Sequence, residues 1–93
     1  FPAVERDLAL LVPAGVTAAA VEEAVEASGG ALLESVILFD RYEGPGVPDG
    51  WRSLAYRVRL QSRERTLTDE DVDPVARRIV DDLKGKLGVE IRF

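Results

Sequence analysis

The chain has no cysteine, no histidine, no methionine and no asparagine. Without cysteine there are no disulfides, no thiolate metal sites and no thiol nucleophile. Without histidine the commonest general base and the commonest zinc ligand are both missing. No apolar run approaches the ~20 residues that span a bilayer, and no signal-peptide pattern appears. A cytoplasmic location with no membrane partner is therefore expected. A chain that lacks methionine and opens on Phe1-Pro2 is expected to be one domain, residues 1–93, excised from a larger protein.

What is present suits a single core: 93 residues, 46% of them apolar. The net charge of −5 argues against indiscriminate polyanion binding, since phosphate contacts need a local excess of Lys and Arg. The charge is unevenly spread, however. Residues 39–66 hold six arginines against four acids, a net +2; the rest holds six basic and thirteen acidic residues, a net −7. A locally basic hairpin on an acidic body can guide a nucleic acid to one face. The plainer alternative is that these arginines are simply solvated.

Arg6 to Val12 alternates as a half-buried strand, with Leu8, Leu10 and Val12 toward the core and Asp7, Ala9 and Leu11 opposite. Thr17 reads as a helix N-cap, with Val16 and Val21 as a hydrophobic staple and Gly29-Gly30 as the stop. A second strand runs from about Leu32 to Tyr42. Phe39 breaks its parity, so either the strand is buried on both faces or a bulge shifts the phase at Leu38-Phe39. The bulge is the favoured reading: it turns Phe39 inward and sends Asp40 and Tyr42 to the open face. The loop Glu43 to Gly50, with three glycines and two prolines, is too long for a tight turn. In the third strand, Arg52 to Gln61, Leu54, Tyr56, Val58 and Leu60 share one face, and Ser53, Ala55, Arg57 and Arg59 the other. Thr68 caps a second helix with an apolar stripe from Val72 to Leu87. Pro74 either bends that helix or starts it, with Asp73 as the cap. Val89 to Phe93 is a short last strand. The order βαββαβ defines an α+β, ferredoxin-like fold: a four-stranded antiparallel sheet with two helices on one face.

No catalytic constellation is visible. A nucleophilic serine has no base near it, and the phosphate-cradling glycine motifs are absent. The acids Asp69, Glu70, Asp71 and Asp73 lack calcium-loop spacing and suit the positive end of a helix, so no metal site is assigned. The uncovered sheet face is the place for binding. Tyr42 can stack on an unpaired base, Asp40 can accept from a guanine's Watson–Crick edge, Ser53 can add one hydrogen bond, and Arg57 and Arg59 can take phosphates. Each also has a plainer role: Tyr42 as a snorkelling core aromatic, Asp40 at a loop entry, the arginines in cross-strand salt bridges.

Four motifs in register carry a resemblance: Arg6-Asp7-Leu8, Leu38-Phe39-Asp40-x-Tyr42, Ser53-Leu54-Ala55 and Arg65-Thr66-Leu67-Thr68-Asp69. Over nearly its whole length the chain resembles the ferredoxin-fold anticodon-binding domain that ends the β subunit of bacterial phenylalanyl-tRNA synthetases. The resemblance implies a non-catalytic module that holds the anticodon stem-loop of phenylalanine tRNA. It also implies a parent β subunit paired with an α subunit in an (αβ)2 ligase, with ATP and Mg2+ used elsewhere and no cofactor here. Asp40, Tyr42 and Ser53 match the family's RNA-facing motif, with Arg57, Arg59 and Arg52 expected to position the backbone. Two residues depart from the pattern: Arg41 stands where an aliphatic is usual, and Pro74 interrupts the second helix. The rival readings are a regulatory or dimerisation module and, on the same fold, an acylphosphatase-like hydrolase, which would want an asparagine that this chain lacks.

Overall fold

A computed structural model describes residues 1–92; Phe93, expected in the last strand, lies outside the described residues. Strand β1 (Val4–Pro13) leads to helix α1 (Ala18–Gly29). A 3-10 turn (Gly30–Leu32) then precedes β2 (Leu33–Tyr42), β3 (Trp51–Leu60), α2 (Asp69–Leu87) and β4 (Glu90–Ile91). The sheet order is β2-β3-β1-β4, antiparallel throughout. This is the ferredoxin-like arrangement expected from the order of elements.

The alternation along β1 and β3 sets the two faces. Leu10, Val12, Leu54, Tyr56, Val58 and Leu60 are fully buried against Val21 and Val25 of α1 and Val72, Ile79 and Leu83 of α2. Tyr56 is long enough to cross this layer: its hydroxyl donates to Glu22 Oε2 on α1 at 3.0 Å. Burial first, and then the Glu22 carboxylate, push the phenol pKa well above its ordinary value.

Thr17 caps α1, its Oγ1 accepting from Ala20 N–H at 3.0 Å. Gly29 is required by packing, because a Cβ there would lie 2.6 Å from Leu33 Cδ2. Helix α2 starts at Asp69, so of the two placements open for Pro74 it takes the one inside the helix. The Thr68 N–H donates to Asp71 Oδ2 at 2.9 Å. That bond leads the causes holding the Asp71 carboxyl below its ordinary range, with Arg65 at 2.8 Å adding to it. Asp69 accepts from Arg6 at 2.7 Å. Three of the acids near the helix start, Asp69, Asp71 and Asp73, are thus engaged in capping and ion pairing. Gly88, with φ +66°, ends the helix in the left-handed conformation. Among the described residues no helix is long and apolar enough to cross a membrane.

Candidate nucleic-acid interface

The helices leave one sheet face uncovered, and the strand register arranges it in rows from β1 through β3 to β2. Glu5, Arg59 and Ser35 form the first row, then Asp7, Arg57 and Ile37, then Ala9, Ala55 and Asp40, and lastly Leu11, Ser53 and Tyr42. The two alanines make a low floor between higher rows. Neighbouring rows are about 7 Å apart, two residues at ~3.3–3.4 Å each.

Asp40 and Tyr42 reach this face because the β2–β3 register shifts between Leu38 and Asp40. Were Phe39 paired in a regular ladder it would oppose Ala55. Asp40 would then oppose Leu54, on the helix side. The bulge is therefore present, and both residues point where the parity argument places them. Phe39 itself corrects the expectation. It does not turn inward but stays 49% exposed, with the Arg57 Cζ 4.9 Å from its ring centroid. A residue left unpaired in an edge-strand bulge escapes the alternation, and the cation gives the ring a partner outside the core. Arg41 opposes Leu54, on the core side by register, yet it is exposed. The last four residues of β2 are all exposed, so a charge is accommodated there.

Tyr42 is 40% exposed, and its hydroxyl donates to the Pro45 carbonyl at 2.8 Å. This bond ties the ring to the 43–50 loop. Ser53 lies on the same face between Leu11 and Tyr42 but is only 8% exposed, so its hydroxyl is a floor group and not a projecting one. Asp40 is exposed and, among the described residues, has no salt-bridge partner.

The arginines differ from one another. Arg57 grips Asp7 with two bonds, Nε to Oδ1 at 2.9 Å and Nη2 to Oδ2 at 3.2 Å. That hydrogen bonding holds the Asp7 carboxyl below its ordinary range. Arg59 lies 3.3 Å from Glu34 and 3.7 Å from Glu5. The cross-strand salt bridges left open by the sequence are thus formed, and three carboxylates face two guanidiniums. Arg52 does not share the open face with the other residues expected to contact RNA. It falls on the opposite face, in phase with Leu54, and is 9% exposed. Its guanidinium donates to the Ala14 carbonyl at 3.3 Å and the Val16 carbonyl at 2.6 Å, bracing the β1–α1 turn. A residue at the start of a strand follows the same period-2 rule as the rest, and that parity was the signal available in the sequence.

One cation was not anticipated. Arg92, just past β4, donates its backbone N–H to the Ala9 carbonyl at 2.7 Å. Its side chain reaches the 43–50 loop, where a Cβ on Gly46 would lie 4.0 Å from Nη2. A cation next to the Tyr42 end of the face depends on how β4 docks, which local patterning does not report.

A four-stranded sheet backed by two helices, with an aromatic, an exposed carboxylate and ion-paired arginines on its bare side, defines a ferredoxin-fold binding module. The family model described as the ferredoxin-fold anticodon binding domain matches residues 1–92, and the chain belongs to that family. Among curated relatives, the phenylalanine–tRNA ligase β subunits of Moorella thermoacetica and Symbiobacterium thermophilum are each 50% identical over 92 residues. Those residues are 99% of this chain and 12% and 10% of the respective relatives. The corresponding subunit of Methylococcus capsulatus is also 50% identical, over 99% of this chain and 12% of its own length. The chain spans about a tenth of the length of the curated relatives it matches.

Proposed function

We propose that this chain docks the anticodon stem-loop of phenylalanine tRNA on the open face of its sheet, as part of the β subunit of a phenylalanine–tRNA ligase. The observation that carries the reading is the bulge that places Asp40 and Tyr42 on the face that also holds Ser53 and the alanine floor. In this reading Tyr42 stacks on an unpaired base. Asp40 accepts from the ring N–H and amino group of a guanine, and Ser53 adds a contact from the floor. Arg59 exchanges Glu34 or Glu5 for a phosphate.

Because Glu5, Asp7, Glu34 and Asp40 share the face with Arg57 and Arg59, these groups leave no surplus positive charge, and the face contributes discrimination more than bulk attraction. Most of the affinity then comes from elsewhere in the parent protein. That parent would pair the β subunit with an α subunit in an (αβ)2 assembly, where ATP and Mg2+ serve aminoacylation away from this module.

The experiment is a binding comparison in the full synthetase, with tRNA carrying guanine or inosine at each guanine of the anticodon loop. Inosine lacks the exocyclic amino donor. The wild type should prefer guanine at one position, and Asp40→Asn should erase that preference. A preference that survives Asp40→Asn at every position would remove the carboxylate from base recognition.

A further inference from the structure

The exposed apolar side chains of β2 are not random surface. Ile37 is 58% exposed and Phe39 49%, beside Tyr42 on the free edge strand. A bare apolar edge invites strand addition, but the register break at Leu38/Asp40 interrupts the row of backbone groups that a partner strand would need. Planar partners meet no such obstacle. The Arg57 guanidinium is fixed through Nε and Nη2 to Asp7 and lies against the Phe39 ring, while its Nη1 makes no hydrogen bond among the described residues. Arginine planes and aromatic rings are the surfaces on which unpaired bases stack. This pair stands on the far side of the alanine floor from Tyr42, with Asp40 between the two.

We propose that Phe39 and Arg57 form a second base-stacking platform for an unpaired RNA nucleotide next to the one held by Tyr42, with Asp7 as the positioning residue that keeps the guanidinium flat. Because Asp7 already neutralises Arg57, this platform binds by stacking and not by phosphate attraction. The inference rests on the anticodon reading of the same face.

The test is a set of coupling cycles in the full synthetase. Phe39→Leu, Asp7→Asn and Tyr42→Leu are each combined with phenylalanine tRNA made abasic at one anticodon-loop position at a time. Thermal unfolding would confirm that each variant is folded. Phe39→Leu should weaken binding of intact tRNA about tenfold, in the lower part of the range for one lost stack. It should have no further effect on tRNA abasic at one particular position. Asp7→Asn should couple to that same position, which a merely structural carboxylate would not do, and Tyr42→Leu to a neighbouring one. If Tyr42 couples but Phe39 weakens every tRNA equally or none, the second platform is refuted and the anticodon reading stands. If neither residue couples to any position, the reading of the whole face fails and the platform with it.

Discussion

Asp40 faces Ala55, and not Leu54, because β2 carries one residue more than β3 between Leu38 and Asp40. Deleting Phe39 would remove that extra residue and leave the ladder regular from Ser35 onward, with Asp40, Arg41 and Tyr42 in their present phase. The deletion should therefore keep the guanine-over-inosine preference, while amide exchange along β2 slows as the ladder closes. Loss of the preference in a folded deletion variant would show that the local twist of the bulge, and not the face alone, aims the carboxylate.

The Tyr42 ring and its hydroxyl have separable roles. Tyr42→Ala should weaken tRNA binding by about 1–3 kcal/mol, the worth of one stacked base. Tyr42→Phe keeps the ring but loses the bond to Pro45, and should retain most of the affinity. Titration of the full synthetase with labelled tRNA checks both, and equal losses in the two variants would assign the contribution to loop anchoring.

Arg59 and Arg57 should respond differently to salt. Arg59 is held at longer range, by two carboxylates from different strands, so it is the one free to move to a phosphate. Arg59→Ala should reduce the slope of log K against log salt by about one, as expected for one lost phosphate contact. Arg57→Ala should lower affinity with the slope unchanged. Binding at several salt concentrations decides between these assignments.

The fold was legible because both central strands alternate cleanly: Leu54, Tyr56, Val58 and Leu60 gave the buried face of β3, and Leu10 and Val12 that of β1. The helix caps Thr17 and Thr68 were legible from local chemistry. At the site, the bulge could be inferred because Phe39 broke the period, but the direction of its side chain could not. Within a bulge, neighbours and not alternation decide orientation, and the deciding neighbour was an arginine on another strand. The even position of Arg52 places it with Leu54 and Tyr56 and away from Arg57 and Arg59, so the parity of β3 separates it from the other arginines of its strand. The pairing of Arg57 with Asp7 links residues 50 positions apart and depends on the β1–β3 register, which residue types alone leave open.

Arg52 should matter to stability and not to RNA. Arg52→Ala leaves the Ala14 and Val16 carbonyls without their donor at the β1–α1 turn. Hydrogen bonds to a charged group contribute about 1.5–3 kcal/mol each, and part of this would be recovered by water. A lower urea midpoint with an unchanged salt slope for tRNA binding is the expected result. A changed slope with an unchanged midpoint would return Arg52 to the RNA interface.

The Tyr56 phenol gives the fold an upper pH limit. Its pKa is raised in the folded chain because burial disfavours the phenolate and Glu22 stands against it. The fold thus favours the protonated form. That contribution is fully present below the unfolded value of about 10 and declines as pH rises above it, by up to about 1.4 kcal/mol per pH unit. Tyr56→Phe has no proton to lose. At neutral pH it should be less stable than the wild type by about 1.5–3 kcal/mol, the worth of the lost bond to the Glu22 carboxylate. Above pH 10 the wild type should lose that advantage progressively. Denaturant titrations of both proteins from pH 7 to pH 11 test this. Parallel curves above pH 10 would mean that the phenol ionises as readily in the folded chain as in the unfolded one.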